Sequence, residues 1–168
     1  ADGLFLAAGF GGETLNELRT ALAEAEIAET GGLSPRVAPM AEVRQMGALL
    51  QRAGLALPVA DALRMTASYG DIFALMRDLR AMGETNALID RHRAPARRSL
   101  FARAAAIYQD RFADDTGRIR ATFEVIFLTG WAPHESQQKP LRPGSAQTRL
   151  AEALNATHVQ DNPVTALD

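Results

Sequence analysis

Three clusters of side chains in this sequence could move a proton or hold a substrate. His134-Glu135-Ser136-Gln137 sets an imidazole beside a carboxylate, a hydroxyl and an amide, within the run Gly130–Ala146, GWAPHESQQKPLRPGSA. An imidazole titrates near neutrality and suits acid–base work. Adjacent residues point in different directions, however, so adjacency does not make a His–Glu dyad. The plainer reading is a structural loop, with Trp131 packed and Pro133 and Pro140 stiffening its path. Met82–Asn86, MGETN, offers an amide for a substrate carbonyl at Asn86 and a carboxylate for an arginine at Glu84. It reads equally as helix termination at Gly83 with solvated polar residues. Gly11, Gly12 and Thr14 follow the apolar run Leu4–Phe10. The C-terminal end of a parallel strand is where α/β sheets bind ligands, although a tight turn and a helix cap explain the same residues. The other histidines, His92 and His158, lie in unrelated segments, so no metal site is expected.

Composition bounds the chemistry further. The 168 residues suffice for one domain with a sizeable core, and 47% hydrophobic content marks a globular chain. Eighteen basic residues against twenty acidic ones give a net charge of −2, which supplies no general attraction to nucleic acid or to an anionic membrane. The absence of cysteine excludes disulfides, thiolate metal sites and thiol nucleophiles. No apolar run approaches the roughly 20 residues of a membrane span, and Leu4–Phe10 lacks the basic flank of a signal peptide. Arg91, His92, Arg93, Arg97 and Arg98 form the local basic run. It reads first as a solvated helix entrance, and second as a means of steering an acidic partner. The opening Ala-Asp-Gly leads straight into an apolar run, as if the chain were a piece of a longer one.

The elements that must position these residues follow from periodicity. Leu4–Phe10 is apolar without alternation, so it reads as a strand buried on both faces. Thr14-x-x-Glu17 matches a capping box for a helix from about Thr14 to Ala28, ended by Gly31-Gly32. Val43, Met46, Leu49, Leu50 and Ala53 stripe a second helix, closed by Gly54. Leu63–Tyr69 alternates as a strand with one wet face. Asp71 is the N-cap of a third helix, which ends near Gly83. A fourth helix covers about Arg97–Phe112, and Asp114-Asp115-Thr116-Gly117 turns the chain. Ile119–Leu128 starts half wet and ends buried on both faces. A short helix is expected near Thr148–Leu154. Strands separated by helices argue for an α/β fold.

Five blocks then stand out in order: DGLFLAAGFGGETLNELR, GGLSPRVAPM, GALLQRAGL, LMRDLRAMGETNA and GWAPHESQQKPLRPGSA. Over about residues 1–150 the chain resembles the C-terminal half of a class I S-adenosylmethionine (SAM)-dependent methyltransferase. Within that class it resembles the methyltransferase-like assembly factors of mitochondrial complex I and their α-proteobacterial relatives. These are in turn similar to BioC, the malonyl-acyl-carrier-protein O-methyltransferase of biotin synthesis. Ordered blocks are more specific than any lone motif.

The resemblance implies the C-terminal part of a Rossmann-like sheet. Leu4–Phe10 would be the fifth strand, Leu63–Tyr69 the sixth at the edge, and Ile119–Leu128 the seventh, antiparallel between them. A helical lid insertion at about 71–113 would cover the substrate pocket of a domain spanning 1–146, followed by a tail at 147–168. The family's SAM-binding parts, a glycine-rich loop and a ribose-binding carboxylate, belong to an N-terminal half not seen here. SAM is therefore expected of the full-length parent and no cofactor of this chain alone. Substrate-side roles fall on Gly11, Gly12, Thr14, Met82, Asn86 and His134, and the catalytic residues stay unassigned. The implied function is the substrate-side half of a methyltransferase site. The alternatives are arginine hydroxylation by the parent and a non-catalytic assembly module for complex I. The substrate would be a small molecule, a carrier protein or a protein subunit, in a bacterial cytoplasm. With no fourth strand, an uncharged edge of Leu4–Phe10 is left to pair with a second copy, giving a homo-oligomer.

Overall fold

The computed structural model describes residues 2–137 and 144–145. The helix expected near Thr148–Leu154 lies outside the described residues. Two compact units divide the chain, Ala1–His134 and Glu135–Asp168. All the elements below belong to the first. In the second, Gly144 takes a positive φ of 82° in a turn.

The element order is β1 (Leu4–Phe10), α1 (Asn16–Thr30), α2 (Val43–Arg52), β2 (Ala56–Tyr69), α3 (Ile72–Ala81), α4 (Arg98–Phe112) and β3 (Ile119–Trp131). The sheet runs β1-β3-β2, with β3 antiparallel to both neighbours. The last strand therefore lies between the first two, as the family resemblance implied.

Two core clusters form on this frame. In one, Leu18, Leu22, Leu75, Leu100 and Tyr108 pack α1, α3 and α4 against the Ile119–Ala121 end of β3. Tyr108 is fully buried and donates its hydroxyl to the Arg120 carbonyl at 2.9 Å. In the other, Leu50 of α2 closes over Ile126 and Leu128, flanked by Val43, Met46 and Ala60.

Several local readings are corrected. β1 is exposed along its length except for half-buried Ala7. Its apolar run marks a strand able to be buried, but α2 covers only one face, at Ala7. The register puts Leu4, Leu6 and Phe10 on the other face, with Phe127, Val59 and Leu63, and all six are exposed. The far edge of β1 has no partner among the described residues. β3 likewise does not end fully buried, because Phe127 is 42% exposed. β2 starts at Ala56, well before Leu63. Pro58 and a bulge between Ala56 and Val59 hide its first half, and an edge strand tolerates both.

Helix starts show local against long-range bonding. Asp71 caps α3 by accepting from the Ala74 N–H at 2.7 Å. The Thr14–Glu17 capping box does not form. α1 starts at Asn16 after Leu15 in a left-handed conformation, φ 54°, without a side-chain cap. The capping box lies instead at α2, between Glu42 and Gln45. Gly31 ends α1 with φ 69° and donates its N–H to Ile27.

Candidate functional site at the end of β1

The β1–β3 ladder ends at Phe10 opposite Val125. Gly11 donates its N–H to the Glu124 carbonyl at 2.8 Å, and the chain then leaves the sheet. From there side chains replace the ladder. Thr14, 1% exposed, donates its hydroxyl to the Glu124 carbonyl (3.1 Å) and accepts from the Glu124 N–H (3.0 Å). Glu17, 4% exposed, accepts from the N–H and the hydroxyl of Thr122 at 3.1 and 2.5 Å. Arg120 lies 3.9 Å from the same carboxylate. The two residues that spell a capping box in sequence thus hold α1 against β3. Those bonds satisfy buried backbone groups that no local cap could reach.

The clamp holds the Glu124 backbone, and the Glu124 side chain lies across Gly11. A Cβ on Gly11 would lie 2.3 Å from Glu124 Oε2, so only glycine leaves the carboxylate its place. Oε2 accepts from the Glu13 N–H at 3.1 Å. Arg64 stands opposite Glu124 in the β2–β3 register and pairs with Glu13 at 3.5 Å. Arg19 donates to the carbonyls of Gly12 and Thr14 at 3.3 and 3.1 Å.

These groups line an open cleft of about 590 Å³, walled on its far side by Met40, Glu42 and Val43. It carries three carboxylates, Glu13, Glu42 and Glu124, against two guanidiniums. Arg64 pairs with Glu13, and Arg19 donates from its two terminal nitrogens to backbone carbonyls while its buried Nε has no partner among the described residues. Chemically, the cleft accepts hydrogen bonds and favours a cation.

The residues singled out from the sequence separate in space. Gly12 lines the cleft, Gly11 lies beneath Glu124, and Thr14 is the clamp. Met82, Asn86 and His134 do not line it. Met82 caps α3 and is 57% exposed. Asn86 donates to the Pro35 carbonyl at 2.8 Å and accepts from the Leu88 N–H. His134 is an exposed residue after β3. Sequence reasoning missed Glu124, Arg64, Arg19 and Glu42. For the first two there was a signal, Arg64 as the charge on the wet face of its strand and Glu124 on the polar face of β3 that also carries Arg120, but not which strands are neighbours.

The glycine run does not form a nucleotide cradle. The space a Cβ would take is occupied by Glu124 at Gly11, and at Gly12 it is bounded by Glu42 and Met40 at 3.5 Å. Among the described residues no group of three or more His, Asp or Glu could hold a metal ion. None of their helices is long and apolar enough to cross a membrane.

No family model matches the chain. It is 45% identical over 152 residues to "Arginine-hydroxylase NDUFAF5, mitochondrial" of Dictyostelium discoideum, covering 90% of this chain and 35% of that protein. It is 39% identical over 151 residues to the protein of the same name in Homo sapiens, covering 90% and 44%. It is 38% identical over 143 residues to the malonyl-[acyl-carrier protein] O-methyltransferase of Laribacter hongkongensis, covering 85% and 46%. The chain spans half or less of the length of these relatives. The expectation of a bacterial cytoplasmic protein is overturned, because relatives named as mitochondrial match over more of the chain than the bacterial enzyme does.

Proposed function

We propose that this chain, a methyltransferase-family relative of NDUFAF5 and of the malonyl-[acyl-carrier protein] O-methyltransferases, supplies the substrate-side wall of a site that takes the guanidinium of an arginine side chain. The observation that carries this reading is the charge of the β1-end cleft. Glu124, whose carboxylate accepts from the Glu13 N–H, and Glu42 across from it, which also caps α2, set three carboxylates with Glu13 against the two guanidiniums of Arg19 and Arg64. A guanidinium pairs with carboxylates through short, strong, often bidentate bonds. A malonyl carboxylate would meet three like charges against two guanidiniums. The name arginine-hydroxylase fits the first substrate, and the methyltransferase name fits the second.

In this reading β1, β2 and β3 are the fifth, sixth and seventh strands of a class I methyltransferase sheet, a numbering supported by the order β1-β3-β2. The full-length protein would use SAM, and no residue of this chain is assigned to hold it. The chain's own part is to bind and orient the arginine.

Calorimetry on the full-length protein tests this, with N-acetylarginine methylamide and malonyl-pantetheine as ligands. The arginine ligand should bind more tightly, and Glu124→Gln should weaken it about tenfold or more, the scale of a lost charge-assisted hydrogen bond. Tighter binding of malonyl-pantetheine, indifferent to Glu124→Gln, would overturn the reading.

A second reading concerns assembly, and the exposed edge of β1 favours it. Among the described residues the outer edge of Leu4–Phe10 has no partner strand, and it carries no charge or proline to guard it; such edges recruit another strand. A second copy of β1, antiparallel about a twofold axis, would complete it. Such pairing also suits a non-catalytic role as an assembly module.

A further inference from the structure

We propose that the cleft between the end of α1 and the start of α4, with its arginine rim, docks an acidic protein segment that presents an apolar side chain. The cleft holds about 520 Å³ and joins two distant stretches, Glu26–Arg36 and His92–Leu100. Leu100 forms its recessed floor at 3% exposure, with Pro95, Ala96 and Leu33 as apolar walls.

Its carboxylates face inward and are occupied. Glu26 accepts from the Ser34 N–H (3.1 Å) and hydroxyl (2.7 Å), and from Arg36 Nε (3.2 Å) and Nη2 (2.7 Å). Burial alone would raise the Glu26 carboxyl, but the hydrogen bonds from Arg36 and Ser34 outweigh it and hold the group below the usual glutamate range. Glu29 accepts from the Ser99 hydroxyl at 3.0 Å and pairs with Arg103 at 3.3 Å. Asn86 ties the loop from the other side through the Pro35 carbonyl. The walls are therefore fixed before any partner arrives, which lowers the ordering cost of binding.

The rim has the opposite character. His92 and Arg97 stand in the cleft, and Arg93 and Arg98 continue along the same exposed segment. Arg93, Arg97 and Arg98 have no carboxylate partner among the described residues. Against the four arginines between positions 90 and 98 stands one acid, Asp90. Cations left unpaired around an apolar hollow attract a partner of the opposite charge and then seat one of its side chains. The arginines extend past the cleft, further than one small ligand would cover, which favours a polypeptide. The floor at Leu100 is recessed but Leu33 on the wall is 65% exposed, so phosphatidylserine vesicles are the control that separates a lipid surface from a polypeptide. This inference does not depend on which group the β1-end cleft accepts.

Fluorescence polarisation on the full chain tests it, with a labelled peptide of repeating Glu-Glu-Leu as probe. Binding should appear at low ionic strength and weaken toward physiological salt. The double variant Arg93→Glu/Arg97→Glu should weaken it about tenfold or more. Leu33→Asp, on the cleft wall, should weaken it independently, and both variants should keep the wild-type melting curve. A peptide with Ser in place of Leu should bind more weakly, and one with Lys in place of Glu should not bind. The proposal is overturned if no Glu-Glu-Leu binding is detected, if the charge reversal leaves it unchanged, or if phosphatidylserine vesicles bind and the peptide does not.

Discussion

Thr14 and Glu124 exchange two hydrogen bonds across 110 residues of sequence, the hydroxyl of Thr14 donating to the Glu124 carbonyl and accepting from its N–H. One buried hydroxyl thus extends the β1–β3 ladder past the end of β1. Thr14→Val keeps the shape and removes both bonds, leaving the Glu124 N–H unsatisfied while the Glu124 carbonyl keeps its bond from the Gly11 N–H. The expected loss is about 1–3 kcal/mol, or several degrees in melting temperature for a domain of this size. Thr14→Ser should recover most of it. Thermal melts followed by circular dichroism would read both, and an unchanged Thr14→Val melt would remove the clamp from the account.

Gly11→Ala separates stability from binding. The new methyl would meet Glu124 Oε2, Cδ and Cγ at 2.3–2.9 Å, all atoms of a side chain that can swing aside. The carboxylate, and not the fold, should therefore move. Chemical denaturation should show a loss below about 1 kcal/mol, while the affinity for N-acetylarginine methylamide falls about tenfold. In a Glu124→Ala background the same substitution should have no further effect on binding, because the two act on one carboxylate. Additive losses would show that Gly11 acts elsewhere.

The sequence made parts of this legible for a definite reason. Asp71, Gly31 and Gly54 signal helix ends through bonds and φ angles within a few residues, and all three stand where expected. The antiparallel β3 between β1 and β2 followed from the family resemblance, not from the burial patterns, which failed for β1 and for the end of β3. Thr14 and Glu17 misled because two competing partners exist for the same atoms. The spacing fits a local cap, yet the backbone of β3 at Thr122 and Glu124 takes both side chains. The charge of the β1-end cleft depends on Arg64 and Glu124 being cross-strand neighbours, which periodicity along one strand cannot state. Asn86 donates its amide to the Pro35 carbonyl, a partner 51 residues away that no local pattern names.

Acid should reveal the Glu26 anchor. Its carboxyl titrates below the usual glutamate range in the folded chain, because the bonds from Arg36 and Ser34 outweigh its burial. As pH falls, the unfolded chain takes up this proton first. The stabilisation is complete above the ordinary glutamate pKa, about 4.3, and is lost as pH falls through the lower folded value. Glu26→Gln should lower stability at neutral pH and flatten the dependence of unfolding free energy on pH in that acidic window. Urea melts at a series of pH values would show it, and an unchanged acid slope would mean that other carboxylates set it.

The free edge of β1 yields the last prediction. Leu4, Leu6 and Phe10 are 53%, 69% and 43% exposed on a strand whose outer edge is unpaired among the described residues. If two copies pair there, a lysine at Leu6 places like charges near the twofold axis without touching the bonds to β3, a device natural edge strands use. Light scattering should find the wild-type chain as a dimer or larger, and Leu6→Lys as a monomer with an unchanged far-ultraviolet spectrum. A wild-type monomer over the same concentrations would rule out self-pairing and leave the edge to a strand from elsewhere. A Leu6→Lys dimer as stable as wild type would move the contact to another surface, since charge repulsion at the axis falls off only beyond about 8–10 Å at moderate salt.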